Sequence, residues 1–166
     1  MMTLQTELLA AISWAAQQGW TPATGGNFSA RTETGYWVTA SGRDKTRIQA
    51  DDLLLCDLDG KVLEGNGKPS AESDLHAALY RLDSTIHCVL HTHTVASTVL
   101  SRRFPEGIEL SGFEMQKRWR VTSLTTLPLR YRWCPTPRIW KNWPSTYAMA
   151  GRCPGAFWLR ATAFTP

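Results

Sequence analysis

No run of apolar residues in this chain approaches the roughly 20 needed to cross a bilayer as a helix. The N-terminal Met-Met-Thr-Leu-Gln-Thr-Glu lacks the basic and apolar regions of a signal peptide. The expectation is therefore a cytoplasmic protein without a membrane partner. Cysteine is scarce as well. Cys56, Cys88, Cys134 and Cys153 form no CxxC pair and no dense framework, which excludes a disulfide scaffold and leaves reduced thiols. With 166 residues, the chain suffices for one domain with a hydrophobic core and is short for two.

The most informative absence is local. After Lys117 there is no Asp, Glu or His, while residues 118–166 hold 8 Lys/Arg and five of the eight tryptophans. Residues 1–117 carry 10 Lys/Arg against 14 Asp/Glu. The net charge of +4 thus conceals an acidic first part and a strongly basic remainder. A basic, aromatic tail ordinarily suggests nucleic-acid or membrane-surface contact. Here a different explanation, given below, is preferred, and no nucleic-acid partner is expected.

What is present reads as alternating helices and strands. Leu4, Leu8, Leu9, Ile12, Ala15 and Ala16 stand at helical spacing up to Gln18, with Gly19 as the stop. Residues 21–29 (TPATGGNFS) read as a loop. Tyr36 to Ala40 and Leu53 to Leu58 read as strands, the second turning at Asp59-Gly60 into Lys61-Val62-Leu63. Ser70 or Ser73 is expected to cap a helix through Leu82 that buries Leu75, Ala78, Leu79 and Leu82. Thr85 to His91 fits an internal strand, followed by a helix from about Thr94 to Arg102. A short strand at Ile108 to Leu110 and a helix start at Gly112 to Lys117 complete a layered α/β pattern. Beyond Lys117, prolines at 128, 135, 137 and 144 interrupt the chain, and neither an amphipathic helix nor an alternating strand is evident.

His91-Thr92-His93 ends the apolar strand. Side chains two apart on a strand share a face, so the two imidazoles can converge on one divalent ion, and Zn²⁺ suits them. The pair could equally be two polar residues at a strand end. A catalytic zinc usually takes three protein ligands, and the other histidines are His76 and His87. His87 is too far along the strand, and His76 reads as an ordinary helix-face residue. Glu72 and Glu114 are candidate acids or bases beside a metal. Thr24-Gly25-Gly26-Asn27 and Thr39-Ala40-Ser41-Gly42 are candidate phosphate cradles, because glycines let backbone N–H groups approach an anion. Arg43 and Lys68 could add charge.

The segments ATGGNFSAR, VTASGRDK, KPSAESDLH, VLHTHTVAS and LSGFEMQK together resemble the class II aldolase/adducin superfamily, in its order and spacing, over nearly all of residues 1–117. The GFEMQK segment after His93 is most similar to the dehydratase branch. The resemblance implies a three-layer α/β/α domain with a central, mainly antiparallel sheet. It implies one zinc ion per subunit with His91 and His93 as ligands, and a homotetramer. Glu72 falls at the acid/base glutamate of the aldolases, and Glu114 at that of the dehydratases. Gly25, Gly26, Asn27, Ser41, Gly42 and Ser70 would hold the phosphate. The implied reaction is loss of water from 5-methylthioribulose 1-phosphate. A sugar-phosphate aldolase or epimerase, or a non-catalytic adducin-like module, are the alternatives.

The superfamily places its third zinc histidine in a downstream Gly-His-Gly-Leu-Tyr segment, and this chain has no histidine after His93. The genetic code suggests why. If reading starts at the third base of each codon, Cys134 to Pro144 can encode Pro-Asn-Thr-Gln-Asp-Met-Glu-Lys-Leu-Ala. In the same frame Arg160 to Thr165 can encode Gly-His-Gly-Leu-Tyr, and Arg118 to Val121 can encode Leu-Ala-Gly. The expectation is a native domain over residues 1–117 and an out-of-frame tail over 118–166, which impairs activity.

Overall fold

The computed structural model describes residues 2–104, 108–110, 129–131 and 157–162. Helix α1 (Leu4–Gln17) begins at Thr3, whose hydroxyl accepts from the Thr6 N–H, and buries Leu8, Ile12 and Ala15. That is the stripe its periodicity predicts. Strand β1 (Asn27–Arg31) follows, its first three residues falling in the 21–29 segment expected to be a loop. The loop thus ends at Gly26, three residues earlier than expected, and Asn27 already sits in the ladder opposite His91.

Strands β2 (Tyr36–Thr39), β3 (Leu53–Cys56) and β4 (Val62–Glu64) form an antiparallel meander. The β3–β4 turn uses Gly60 at φ +85°, as the Asp-Gly signal requires. Helix α2 (Ser73–Leu82) leads into β5 (Ile86–Thr92), and α3 (Val95–Arg103) is capped by the Thr94 hydroxyl on the Ser97 N–H. Among the described residues, β6 (Ile108–Leu110) pairs with β7 (Leu129–Tyr131), and β8 (Phe157–Thr162) pairs with β5. Strands therefore do occur after Lys117, where none was expected. The expected helix at 112–117 lies outside the described residues.

The main sheet has the order β4-β3-β2-β1-β5-β8, and each of its pairings is antiparallel. Its two faces carry separate cores. On one face, Leu8, Ile12 and Ala15 of α1 pack on Phe28, Ala30 and Leu53. On the other, Ala77, Leu79 and Tyr80 of α2 pack on Tyr36, Val38, Leu54, Cys56 and Val89. The three-layer α/β/α expectation holds.

The face of α2 differs from its prediction. Ser73, His76, Ala77, Leu79 and Tyr80 are buried, whereas Leu82 is 51% exposed. Neither Ser70 nor Ser73 caps the helix through its side chain, and Glu72 occupies the cap position. The rotation has a polar cause. Asn27, Ser29 and Arg31 alternate onto the α2 face of β1, and the helix turns Glu72, His76 and Tyr80, spaced four apart, to meet them. Ser29 Oγ lies 2.6 Å from both His76 Nδ1 and the Tyr80 hydroxyl. Arg31 donates to the carbonyls of Ile86 (2.8 Å), Asp83 (3.0 Å) and Tyr80, and stacks over the Tyr80 ring. The result is a buried polar seam along one side of an otherwise apolar core.

Candidate metal and phosphate site

The seam opens at its upper end onto His91. This residue stands on β5 opposite Asn27 and is fully buried. Its Nδ1 contacts the Glu72 carboxylate, and the Asn27 amide donates to the same carboxylate oxygen at 2.7 Å. Asn27 Nδ2 also lies 3.0 Å from His91 Nδ1. Two N–H donors converging on one carboxylate oxygen account for this close nitrogen pair, with His91 protonated at Nδ1. Such a tautomer leaves the buried Nε2 as the ligating atom, and a carboxylate behind a histidine is the usual outer support of a metal site.

His93 follows the end of β5. Its N–H donates to the Trp20 carbonyl at 2.7 Å, and its ring lies 4.6 Å from that of His91, tilted by 38°. The two imidazoles thus lie close together. Burial holds the His93 pKa below its ordinary value, with His91 adding to the effect. Among the described residues, no group of three or more His, Cys, Asp or Glu side chains is placed to hold a metal. The donor set fits a divalent ion but stands one ligand short. Glu114 lies outside the described residues.

The glycines are shaped by this pair. A Cβ on Gly25 would sit 3.4 Å from the His93 ring and 2.9 Å from the Pro22 carbonyl. Gly26, at φ +77°, passes so close to the His91 carbonyl that a Cβ would lie 2.6 Å from it. Ser41 and Ser70 flank a bridge between Ala40 and Pro69, and Gly42 turns at φ +72°. The backbone N–H groups of Gly25, Ser41 and Ser70 already donate to the carbonyls of Pro22, Lys68 and Thr39. At Ser41 and Ser70 the hydroxyls, rather than the main chain, are the donors left for an anion. The Asn27 amide faces Glu72 and His91 instead of a cradle.

Three further residues belong to the neighbourhood. Lys45 is buried, and its ammonium donates to the carbonyls of Thr24 (2.7 Å) and Arg43 (2.8 Å), tying the two glycine loops together. Burial lowers its pKa. Nothing in the sequence pattern distinguishes it from a surface lysine. His76, read as an ordinary helix residue, is fully buried, and its pKa is pushed down to about 3 by burial first and His91 second. Ser29 was missed with it. The signal was there in the polar alternation Asn27, Ser29, Arg31 and in the spacing of four from Glu72 to His76. His87 is exposed and plays no part.

Residues 6–130 match the family of the Class II Aldolase and Adducin N-terminal domain. A methylthioribulose-1-phosphate dehydratase from Pseudoalteromonas translucida is 51% identical over 116 residues, which cover 69% of this chain and 55% of that protein. One from Cronobacter sakazakii is 44% identical over 126 residues, covering 74% and 62%. The L-fuculose-1-phosphate aldolase of Thermus thermophilus superposes with a TM-score of 0.55 at 30% identity, over 68% of this chain and 55% of that one. The chain thus spans 55% to 62% of the length of these two dehydratases.

Proposed function

The chain belongs to the class II aldolase and adducin N-terminal domain family, and from that premise we propose that it derives from a zinc-dependent methylthioribulose-1-phosphate dehydratase. The reaction converts 5-methylthioribulose 1-phosphate to 2,3-diketo-5-methylthiopentyl 1-phosphate in methionine salvage. The observation that carries this reading is the approach of His91, His93 and Glu72, held by Asn27, in a chain that is 51% identical over 116 residues to a methylthioribulose-1-phosphate dehydratase.

His91 and His93 would hold the ion. Zinc, when bound, supplies Lewis-acid polarisation of the substrate ketone. A glutamate takes the C3 proton, and the C4 hydroxyl leaves as water with the help of a protonated group. Glu72, whose carboxylate contacts Asn27 and His91, is our candidate for the first task, and Glu114 is the other. The hydroxyls of Ser41 and Ser70 would meet the phosphate, with Gly25, Gly26 and Gly42 shaping the loops around it. Assembly as a homotetramer in the cytoplasm, with one zinc ion per subunit, belongs to the same reading.

The tail bears on activity. In the register of β8 on β5, Trp158 stands opposite His91 and Thr162 opposite Ile86. We read residues 118–166 as translated out of frame, so that two imidazoles remain where the family uses three. DNA sequencing across codons 115–166 tests this. The frame that starts at the third base should encode acidic residues and Gly-His-Gly-Leu-Tyr, and stop codons throughout it would refute the idea. The frame-corrected protein should bind zinc and dehydrate methylthioribulose 1-phosphate, while the present chain should do so weakly or not at all.

The likeness to fuculose-phosphate aldolase supports a second reading, a sugar-phosphate aldolase or epimerase. Turnover of L-fuculose 1-phosphate, with methylthioribulose 1-phosphate inert, would favour it. A corrected protein that binds no zinc would point to a non-catalytic module.

A further inference from the structure

The glycine loops offer an anion hydroxyls but little charge. The N–H groups of Gly25, Ser41 and Ser70 are spent on carbonyls. Arg43 pairs with Asp52 at 3.1 Å, and Lys68 is exposed. Lys45 differs from both. It is 2% exposed, and its ammonium donates to the carbonyls of Thr24 and Arg43, one on each loop. Among the described residues it forms no ion pair and no third hydrogen bond, although an ammonium carries three N–H donors. Asp44, the acid that favours its charge, is exposed and accepts from Thr46, and burial outweighs its attraction. A buried charge without a counter-ion is costly, and a neutral amide could tie two carbonyls together without that cost. The charge therefore has a use beyond joining the loops. It sits beside the site, because Thr24 adjoins Gly25, where a Cβ would lie 3.4 Å from the His93 ring.

We propose that Lys45 supplies the positive charge of the phosphate subsite, giving its remaining N–H to the phosphate of the ligand while the other two hold the loops together. The inference rests on the phosphate reading above and adds to it a preference for a charged phosphate ester over a neutral sugar.

The probe is inorganic phosphate, added to the full chain with labelled lysine; both loops lie within residues 1–117. The Lys45 Cε resonance, assigned by its loss in Lys45→Gln, should move saturably with phosphate and stay in place in chloride of equal ionic strength. Lys45→Gln keeps a donor for the loops and removes the charge. It should weaken phosphate binding, followed by phosphorus NMR, at least about 10-fold, the lower end for a hydrogen bond to a charged group. Ser41→Ala, which removes a hydroxyl of the same subsite, should weaken it too. Should Lys45→Gln fail to fold, Lys45→Arg gives the assignment and the wild-type resonance decides alone. If Ser41→Ala weakens binding while the Lys45 resonance stays still, or while a folded Lys45→Gln binds as the wild type does, the proposal falls and the phosphate reading stands. If the chain binds no phosphate, or neither variant affects binding, both fall.

Discussion

Asn27 was expected to hold phosphate, and its amide instead joins Glu72 and His91. Its Oδ1 is buried without a hydrogen-bond partner among the described residues, so the amide is held there at a cost. In the frame-corrected protein, Asn27→Ala should weaken divalent-metal binding by about 10-fold, as loss of an outer partner does. Stability should change little, because the unsatisfied oxygen goes with the amide; calorimetric metal titration and melting curves measure the two. Lys45 should behave in the opposite way. Lys45→Met removes two charge-assisted hydrogen bonds to loop carbonyls and should cost roughly 1–3 kcal/mol in denaturant unfolding. The histidine pair was legible because strand alternation alone predicts convergence. The roles of Asn27 and Lys45 were not, since both depend on which loop lies opposite.

At the level of elements, α1, β2 and the β3–β4 hairpin follow from local pattern, and their observed bounds sit within a residue or two of expectation. Two of the misreadings, β1 and the face of α2, share one cause. An apolar periodicity cannot report a helix that turns polar groups inward to meet polar groups of a strand. Gly26 shows how tightly these elements meet. Gly26→Ala would force a positive φ on an L-residue and press a methyl against the His91 carbonyl. The expected loss is at least about 1–2 kcal/mol, the penalty of the left-handed conformation alone. It should appear in thermal melts, together with weaker metal binding as the end of β5 shifts. Gly42→Ala, where nothing lies within 4 Å, should bear only the backbone strain and is the control.

Over the whole molecule, the layered α/β class was legible from the alternation of elements. The pairing of β8 with β5 was not, because its sequence carries no alternation of apolar and polar residues. The seam gives the fold a pH signature. His76 is held near a pKa of 3 in the folded chain against an ordinary 6.5, so between those values the unfolded chain binds a proton that the folded chain refuses. Its contribution to stability is complete above pH 6.5 and is lost as the pH falls toward 3, with a limiting slope of about 1.4 kcal/mol per pH unit. Denaturant unfolding at pH 7, 6 and 5 should show this decline, and His76→Gln should flatten it.

The three polar residues of β1 also decide which structure the chain refuses. A slip of one residue in the pairing of β1 would exchange the faces of the strand. Asn27, Ser29 and Arg31 would then be driven into the leucines and isoleucine beneath α1, and Phe28 and Ala30 would be set against Glu72, His76 and Tyr80. An apolar strand could tolerate such an error, since one hydrophobic face resembles another. This one cannot, and the groups that make the core expensive are the ones that allow it a single alignment.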